Sequence, residues 1–395
     1  MGHTSPCRAR ALCAASLLAI AACTGVRDLV DGTTRTDSAG IVIVLNDADD
    51  RELDWQFERI IDIGGDTGRA AFFRVFPTSI GVDSTGNLYV LDAGTFSVSV
   101  FDLDGQYVRS FGRQGEGPGE MGFPSDMAVS ADGRLAVHDF ARRALLFYES
   151  DGTFAGTLPI PGPLQRRVAL LDDGSTVVGV TGPADVADSL DYRVIVMSAD
   201  TQELARVRLL SDPPPQQFAC TSLALPPYFG PRIVWAAASD RVVISDDAAY
   251  SIRVVDRDGS DAVWRRDVPP VRANLRLAAW EVAGGDSLRF RGPLVAAGSS
   301  CVIAPEDVAE RVGYADVVPV VSDLVVRPGR GVWVRRRTEQ PGELRIDVFD
   351  DTGAYVGTLP EGSPFPALFR GSDEIVTVER DSMDVPHVIV YRVRR

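Results

Sequence analysis

The sequence predicts an all-β fold: a six-bladed β-propeller of four-stranded antiparallel blades, its ring closed by N-terminal strands. Three observations carry that prediction. Landmarks recur at one spacing: Pro77 and Pro124, Asp92 and Asp139, and Gly105 and Gly152 are each 47 residues apart. Each repeat holds four short β-rich runs, and turn residues such as Asp-Gly separate them, as tight hairpins require. Four antiparallel strands in a repeat of about 40 to 50 residues make a propeller blade, whereas a solenoid repeat would normally contain a helix.

The units follow in order. The first runs from Pro77 through Asp92, Ser97 to Phe101 and Tyr107 to Phe111, and the second from Pro124 through Asp139, Leu145 to Tyr148 and Phe154 to Leu158. A third begins near Gln165 and includes Tyr192 to Met197. The fourth has Ile233 to Ala236, Arg241 to Asp246 and Ile252 to Asp256, and the fifth Leu324 to Val326, Gly331 to Val334 and Ile346 to Asp350. The last, with Glu374 to Glu379 and His387 to Tyr391, lacks an outer strand. Two β-runs near the N-terminus, Ile41 to Leu45 and Phe57 to Ile63, are expected to fill that vacancy and cover the exposed edge.

Composition narrows the partners. The 395 residues carry a net charge of −15, and all 40 basic residues are arginine. Without lysine, Schiff-base chemistry and a P-loop are both excluded. An acidic surface repels phosphate backbones and anionic lipid, so nucleic acid is not expected as a partner. At the N-terminus, Arg8 and Arg10 precede an apolar stretch from Ala11 to Ala19 and small residues before Cys23, the layout of an export signal. The stretch Ile20 to Cys23 resembles the bacterial lipobox, which implies lipidation of Cys23. The expected organisation is a signal peptide over 1–22, a tether over 23–40 and the propeller over 41–395. The expected location is the cell envelope: Thr24 resembles the outer-membrane sorting pattern, and the membrane is met through the lipid alone. Two cysteines then remain, Cys220 and Cys301, for a disulfide or two buried thiols.

Strand parity fixes where long loops emerge. With strands a to d from centre to rim, a–b and c–d turns share one face, and b–c loops and d–a links share the other. The first set is tight, as at Ser84 to Gly86, Asp104-Gly105 and Asp132-Gly133. The insertions at 181–190, 211–231, 268–319 and 335–343 all map to the second face. Long loops on a rigid scaffold are where binding residues concentrate. Cys220 and Cys301 both fall within these interblade insertions, which favours the bridge.

The candidate binding residues lie on that face. Glu116 and Glu120, in Gly115-Glu-Gly-Pro-Gly-Glu120, could bind a cation, though turn geometry explains the glycines as well. Asp92, Asp139 and Asp246 end equivalent b strands, where carboxylates either hold structural Ca²⁺ or cap their own loops. No other cofactor is expected. His138 beside Asp139, with Arg142 and Arg143 following, forms the best acid–base cluster, and Asp126 is a further candidate on the binding face, yet two histidines in the mature chain are few for catalytic zinc. Tyr228 and Phe229 point to an aromatic patch on the insertions.

The stretch Phe111 to Glu120, the Asp-x-x-Gly hairpins and the ending Asp384 to Val393 resemble the bacterial six-bladed β-propeller lipoproteins related to NHL-repeat proteins. The resemblance implies the fold and an envelope location, and supplies no catalytic set. The expected role is a binding or scaffolding module, working as a monomer, that presents the loop-rich face to an envelope protein or small ligand. A metal-dependent hydrolase or lyase, similar to propeller lactonases and NHL-type lyases, is the alternative.

Overall fold

The computed structural model describes residues 27–29, 32–64, 71–162, 164–183, 189–198, 201–210, 213–218, 222–258, 260–283, 294–295, 302–329 and 331–395. They form six antiparallel blades in a ring. Blade 1 is Ile80–Val82, Leu88–Asp92, Ser97–Phe101 and Tyr107–Phe111, from axis to rim. Blade 2 is Pro124–Val129, Leu135–Asp139, Ala144–Tyr148 and Phe154–Pro159, and blade 3 is Leu164–Leu170, Thr176–Pro183, Ser189–Met197 and Gln202–Leu210. Blade 4 is Val234–Ala238, Arg241–Ser245, Ser251–Asp256 and Asp261–Arg266, and blade 5 is Val321–Arg327, Gly331–Arg337, Leu344–Phe349 and Tyr355–Thr358. Blade 6 takes Leu368–Arg370, Glu374–Arg380 and Pro386–Arg394 from the C-terminal end of the chain and Gln56–Gly64 as its outer strand.

Alternation along each strand sends side chains into the gaps between blades, so the core is divided among the six junctions. Leu135 and Val137 pack toward blade 1 with Leu91 and Val98, while Ala136 and Leu145 pack toward blade 3 with Val178 and Val180. Trp264 and Phe349 stack across the gap between blades 4 and 5, with ring centroids 6.1 Å apart.

The turns of the plain face share one device. An aspartate at the turn's start accepts from main-chain N–H groups two and four residues later: Asp83 from Thr85 and Asn87, Asp102 from Asp104 and Gln106, Asp350 from Thr352 and Ala354, all at 2.8 to 3.0 Å. Gly86 and Gly353 close two of these turns at φ of +86° and +87°, where a β-carbon is disfavoured.

One expectation needs correction. Only Gln56–Gly64 closes blade 6, antiparallel to Pro386–Arg394. The run Ile41–Asn46 instead forms a hairpin with Thr33–Ser38 and lies parallel to Asp261–Arg266 on the rim of blade 4. Blade 6 has a single vacancy, and Asn46 fixes the hairpin elsewhere. Its buried amide donates to Arg265 O at 3.1 Å and Gly353 O at 3.0 Å, and its Oδ1 accepts from Tyr355 N at 2.9 Å. The span 23–40, expected as a tether, therefore holds strands Arg27–Leu29 and Thr33–Ser38.

Between hairpin and closing strand, residues 47–52 are held by a buried ionic network. Asp347 Oδ2 accepts from Arg266 Nη1 at 2.8 Å, Arg336 Nε at 3.0 Å and Tyr250 OH at 2.7 Å, and Thr358 donates to Oδ1 at 2.7 Å. Arg266 also donates to the carbonyls of Asp47, Ala48 and Asp49, and lies 3.7 Å from the centre of the Tyr355 ring.

Candidate functional site

The insertions gather on one face, as strand parity requires. Between blades 4 and 5, Val271–Arg272 pairs with Val317–Val318, and two helices, α1 (Leu275–Val282) and α2 (Pro305–Val312), rise between those short strands. Asn274 caps α1, its Oδ1 accepting from Leu277 N at 3.0 Å, and Pro305 opens α2 with Glu306 and Asp307 in its first turn. These helices were not anticipated, because two eight-residue helices inside an otherwise β-rich chain leave little periodicity to read.

Tyr228 and Phe229 do not form an open aromatic patch. Tyr228 exchanges main-chain hydrogen bonds with Gly313 and Ala315, and its side chain packs with Phe218, Ile303 and Val308. Phe229 packs with Val271 and Leu277, and with Ala278 and Ala309. Both belong to the small core that lets the insertion fold. Among the described residues, the exposed aromatics of the face are Phe73, Phe123 and Phe140, at 71%, 47% and 57% exposure, and Tyr314 at 37%. No spacing or motif in the sequence marks these three phenylalanines.

The clamps beneath them explain two of the predicted aspartates. Asp92, buried at the end of its strand, accepts from Phe73 N, Arg74 N and Gly94 N at 2.8 to 2.9 Å. Asp139, fully buried, accepts from Gly122 N at 2.6 Å, Phe123 N at 3.0 Å and Arg142 N at 3.2 Å. Each ties the incoming interblade link to its own b–c loop. Asp246 is exposed and stands outside this pattern.

The glycine-rich link is held together by its own residues. Glu120 accepts from Arg113 Nε and from Gly117 N, both at 2.8 Å, and these bonds, the one from Gly117 foremost, lower its carboxyl below the ordinary range. Arg142 donates to the carbonyls of Gly115 and Gly117 at 3.1 and 3.2 Å. Glu116 is exposed. Arg143 adopts φ of +51° in the neighbouring turn, and its carbonyl accepts from Ile160 N at 3.1 Å.

His138 is buried, with Nδ1 at 2.6 Å from Ser125 Oγ and its strand neighbour Asp126 opposite. Burial pushes its pKa down to about 4, against the opposing charge of Asp139. A neutral, enclosed imidazole is a packing group here, not a solvent-facing acid or base. Cys23, Cys220 and Cys301 lie outside the described residues. No three His, Cys, Asp or Glu side chains converge on a metal position among the described residues.

A channel along the ring axis forms a concavity of about 1230 Å³. Its mouth on the decorated face is lined by Arg167, Arg232, Arg335 and Arg337, with Asp323 from blade 5 and Glu281 from α1. Arg167 Nη2 lies 3.2 Å from Asp323 Oδ1, and Arg335 Nη2 lies 3.3 Å from Oδ2. Arg335 also covers the ring of Phe365, with 4.9 Å from Cζ to the centroid. None of these residues stood out in the sequence, because they come from three separate repeats and an insertion.

Residues 80–174 match a family model described as a 6-bladed beta-propeller. Family description and fold agree. The structure carries the same architecture around the rest of the ring. A protein from Bacteroides fragilis described as exported is similar at 14% identity and a TM-score of 0.53, over 89% of this chain and 100% of that one. A gluconolactonase from Xanthomonas campestris (13% identity, TM-score 0.36, 80% of this chain and 85% of that one) is more distant. So is virginiamycin B lyase from Staphylococcus aureus (11%, 0.36, 86% and 99%). At these values the first likeness speaks to fold alone, and the other two carry no argument. The sequence matches no curated protein.

Proposed function

We propose that this chain is an exported, lipid-anchored binding module whose channel mouth, on the loop-decorated face, takes a ligand. The observation that carries the reading is the cavity of about 1230 Å³, opening beside the two-helix insertion and lined by guanidinium groups fixed on protein acceptors. Concave sites with a few placed polar groups are where small molecules bind. Native mass spectrometry of the protein purified from the envelope tests this. Wild type should carry a small-molecule adduct, and Ser322→Trp, which fills the mouth, should lose it at an unchanged melting temperature. An adduct that persists in the filled-mouth variant defeats the reading.

Export and anchoring rest on the signal-like leader and Cys23. Residue 27 already belongs to a strand sewn to the hairpin on blade 4, so three residues separate it from Cys23. Three residues reach about 10 Å, which holds the rim of blade 4 against the membrane. Palmitate labelling that survives Cys23→Ser would count against the anchor. The Cys220–Cys301 bridge is part of the same reading: Phe218 and Ile303, two residues from each cysteine, share one buried cluster.

A further inference from the structure

Phe73, Phe123 and Phe140 are exposed on the decorated face of blades 1 and 2, and none of the three lines the channel. A phenylalanine has no polar tip to hydrate, so clustered exposed rings keep apolar surface in solvent that a partner would cover. The aspartate clamps hold two of them: Phe73 N donates to Asp92 at 2.9 Å and Phe123 N to Asp139 at 3.0 Å, at matching strand ends of neighbouring blades. Phe140 N donates to Phe123 O at 2.9 Å, and the two rings meet edge to face with centroids 6.1 Å apart. The chain around them is close-fitting: a β-carbon at Gly94 would lie 2.7 Å from Phe73 Cβ, and one at Gly122 would lie 3.1 Å from Ala141 Cβ.

Arginines flank the rings. Arg74 follows Phe73, and Arg142 and Arg143 lie just beyond Phe140 in the b–c loop of blade 2. Arg142 is committed to the carbonyls of Gly115 and Gly117 and lies 3.5 Å from Asp139, and Arg113 pairs with Glu120 at 2.7 Å. Arg74 and Arg143 are exposed and make no ion pair among the described residues, and the exposed Glu116 makes none there either. Aromatic rings and arginines are what interface centres are enriched in. In a chain of net charge −15, exposed guanidiniums beside bare rings favour an acidic partner over a basic one. Blade 1 lies opposite blade 4 in the ring, and blade 4 carries the N-terminal hairpin on its rim. On the reading that Cys23 is lipidated, the rings sit on the side of the propeller away from the bilayer.

We propose that the phenylalanine patch of blades 1 and 2 docks a second polypeptide, through a segment in which apolar side chains are interspersed with carboxylates. The apolar groups cover Phe73, Phe123 and Phe140, and the carboxylates pair with Arg74 and Arg143. Rings on a braced main chain lose little freedom on binding, so a short segment suffices. This surface is separate from the channel mouth and gives the protein a partner besides any small ligand held there.

Selection of a random peptide library on the purified, unlipidated protein reads the chemistry of the partner. Enriched peptides should carry Phe, Leu or Trp with Asp or Glu close by, and the most enriched one, dye-labelled, becomes the probe for polarisation titrations. Phe123→Ser and Phe140→Ser should each weaken its binding about tenfold or more at an unchanged melting temperature. Arg74→Glu and Arg143→Asn should weaken it severalfold and flatten its dependence on salt, asparagine being a residue that tolerates the φ of +51° at position 143. Ser322→Trp, which fills the channel mouth, should leave the titration unchanged. Enrichment of no peptide, or of basic ones, overturns the proposal, as does wild-type affinity in the phenylalanine variants or loss of binding in Ser322→Trp. Sedimentation of the unlipidated protein with phosphatidylcholine–phosphatidylglycerol vesicles, abolished by the same phenylalanine variants, would overturn it in favour of a lipid surface. Should Phe123→Ser fail to fold, Phe73→Ser decides in its place.

Discussion

Replacing Asp347 by asparagine should be the most damaging near-isosteric substitution in the chain, and the structure supplies its size. The carboxylate is fully buried and accepts from Arg266, Arg336, Tyr250 and Thr358. An amide keeps the shape and one acceptor oxygen, and Thr358 can turn its hydroxyl to accept instead of donate. What is lost is the charge: two buried guanidiniums, with 0% and 8% side-chain exposure, are left against Asp50 alone. Breaking a buried ion pair by removing one partner costs about 3–5 kcal/mol. With about 2.1 cal/mol/K of unfolding entropy per residue, a chain this long loses about 1.3 °C per kcal/mol, so the melting temperature should fall by about 4–6 °C. Calorimetry gives that number, and hydrogen exchange should rise in residues 47–52, whose carbonyls Arg266 holds. A fall under 2 °C with unchanged exchange there refutes the argument. Burial works to raise the Asp50 carboxyl, but the charges of Arg336 and Arg266 overcome it and hold it below its ordinary 3.8. Its share of the stability is therefore present at neutral pH and is lost only as pH falls through that lowered value.

Three further outcomes follow from named contacts. Native His138 takes up its proton only near pH 4, whereas the unfolded chain does so near 6.5, so stability present above about 6.5 should drain by about 3 kcal/mol on the way to pH 4; His138→Gln should flatten that slope in melts at pH 7, 5.5 and 4.5, and parallel slopes would contradict it. Asp139→Ala strips an acceptor from Gly122, Phe123 and Arg142, at a cost of about 2–4 kcal/mol in urea unfolding, while Asp246→Ala on the exposed surface should leave the midpoint in place. If Cys220 and Cys301 are joined, the bridge closes about 80 residues and reduction should cost up to about 4 kcal/mol; two freely alkylating thiols in the denatured, unreduced protein would rule it out.

Blade identity was legible where local chemistry repeats. Asp83, Asp102 and Asp350 each close a turn by bonding to main-chain groups two and four residues ahead, so the pattern survives in the letters alone. Which N-terminal run closed the ring was not legible. Ile41 to Asn46 and Gln56 to Gly64 are both strand-forming, and what separates them is Asn46 meeting Arg265 and Gly353, residues more than 200 positions away. The site was hidden for a similar reason. Arg167, Arg232, Arg335 and Arg337 sit in unlike sequence contexts, and a ring of repeats brings them together only when its inner strands meet at the axis. Tyr228 and Phe229 read as a surface patch because a small satellite core has the same composition as a sticky loop.

The division of labour between the two faces follows from the even number of strands per blade. Plain-face turns set the register of each hairpin, and a slip of one residue would turn every inward side chain outward, so these turns stay short. Links on the other face enter the ring after an outer strand has finished pairing, and lengthening them costs only slowly growing loop entropy. Asp92 and Asp139 reinforce this tolerance by anchoring two links at fixed points, so that what lies beyond the anchor can vary. The α1–α2 insertion goes further and carries its own buried residues, Val308, Ala309 and Val312 among them, so it stands on the mouth without borrowing the blade cores. Glu281 on α1 then reaches back to Arg337 on blade 5. Through that contact the most elaborated loop of the decorated face brings a carboxylate to the channel it overlooks.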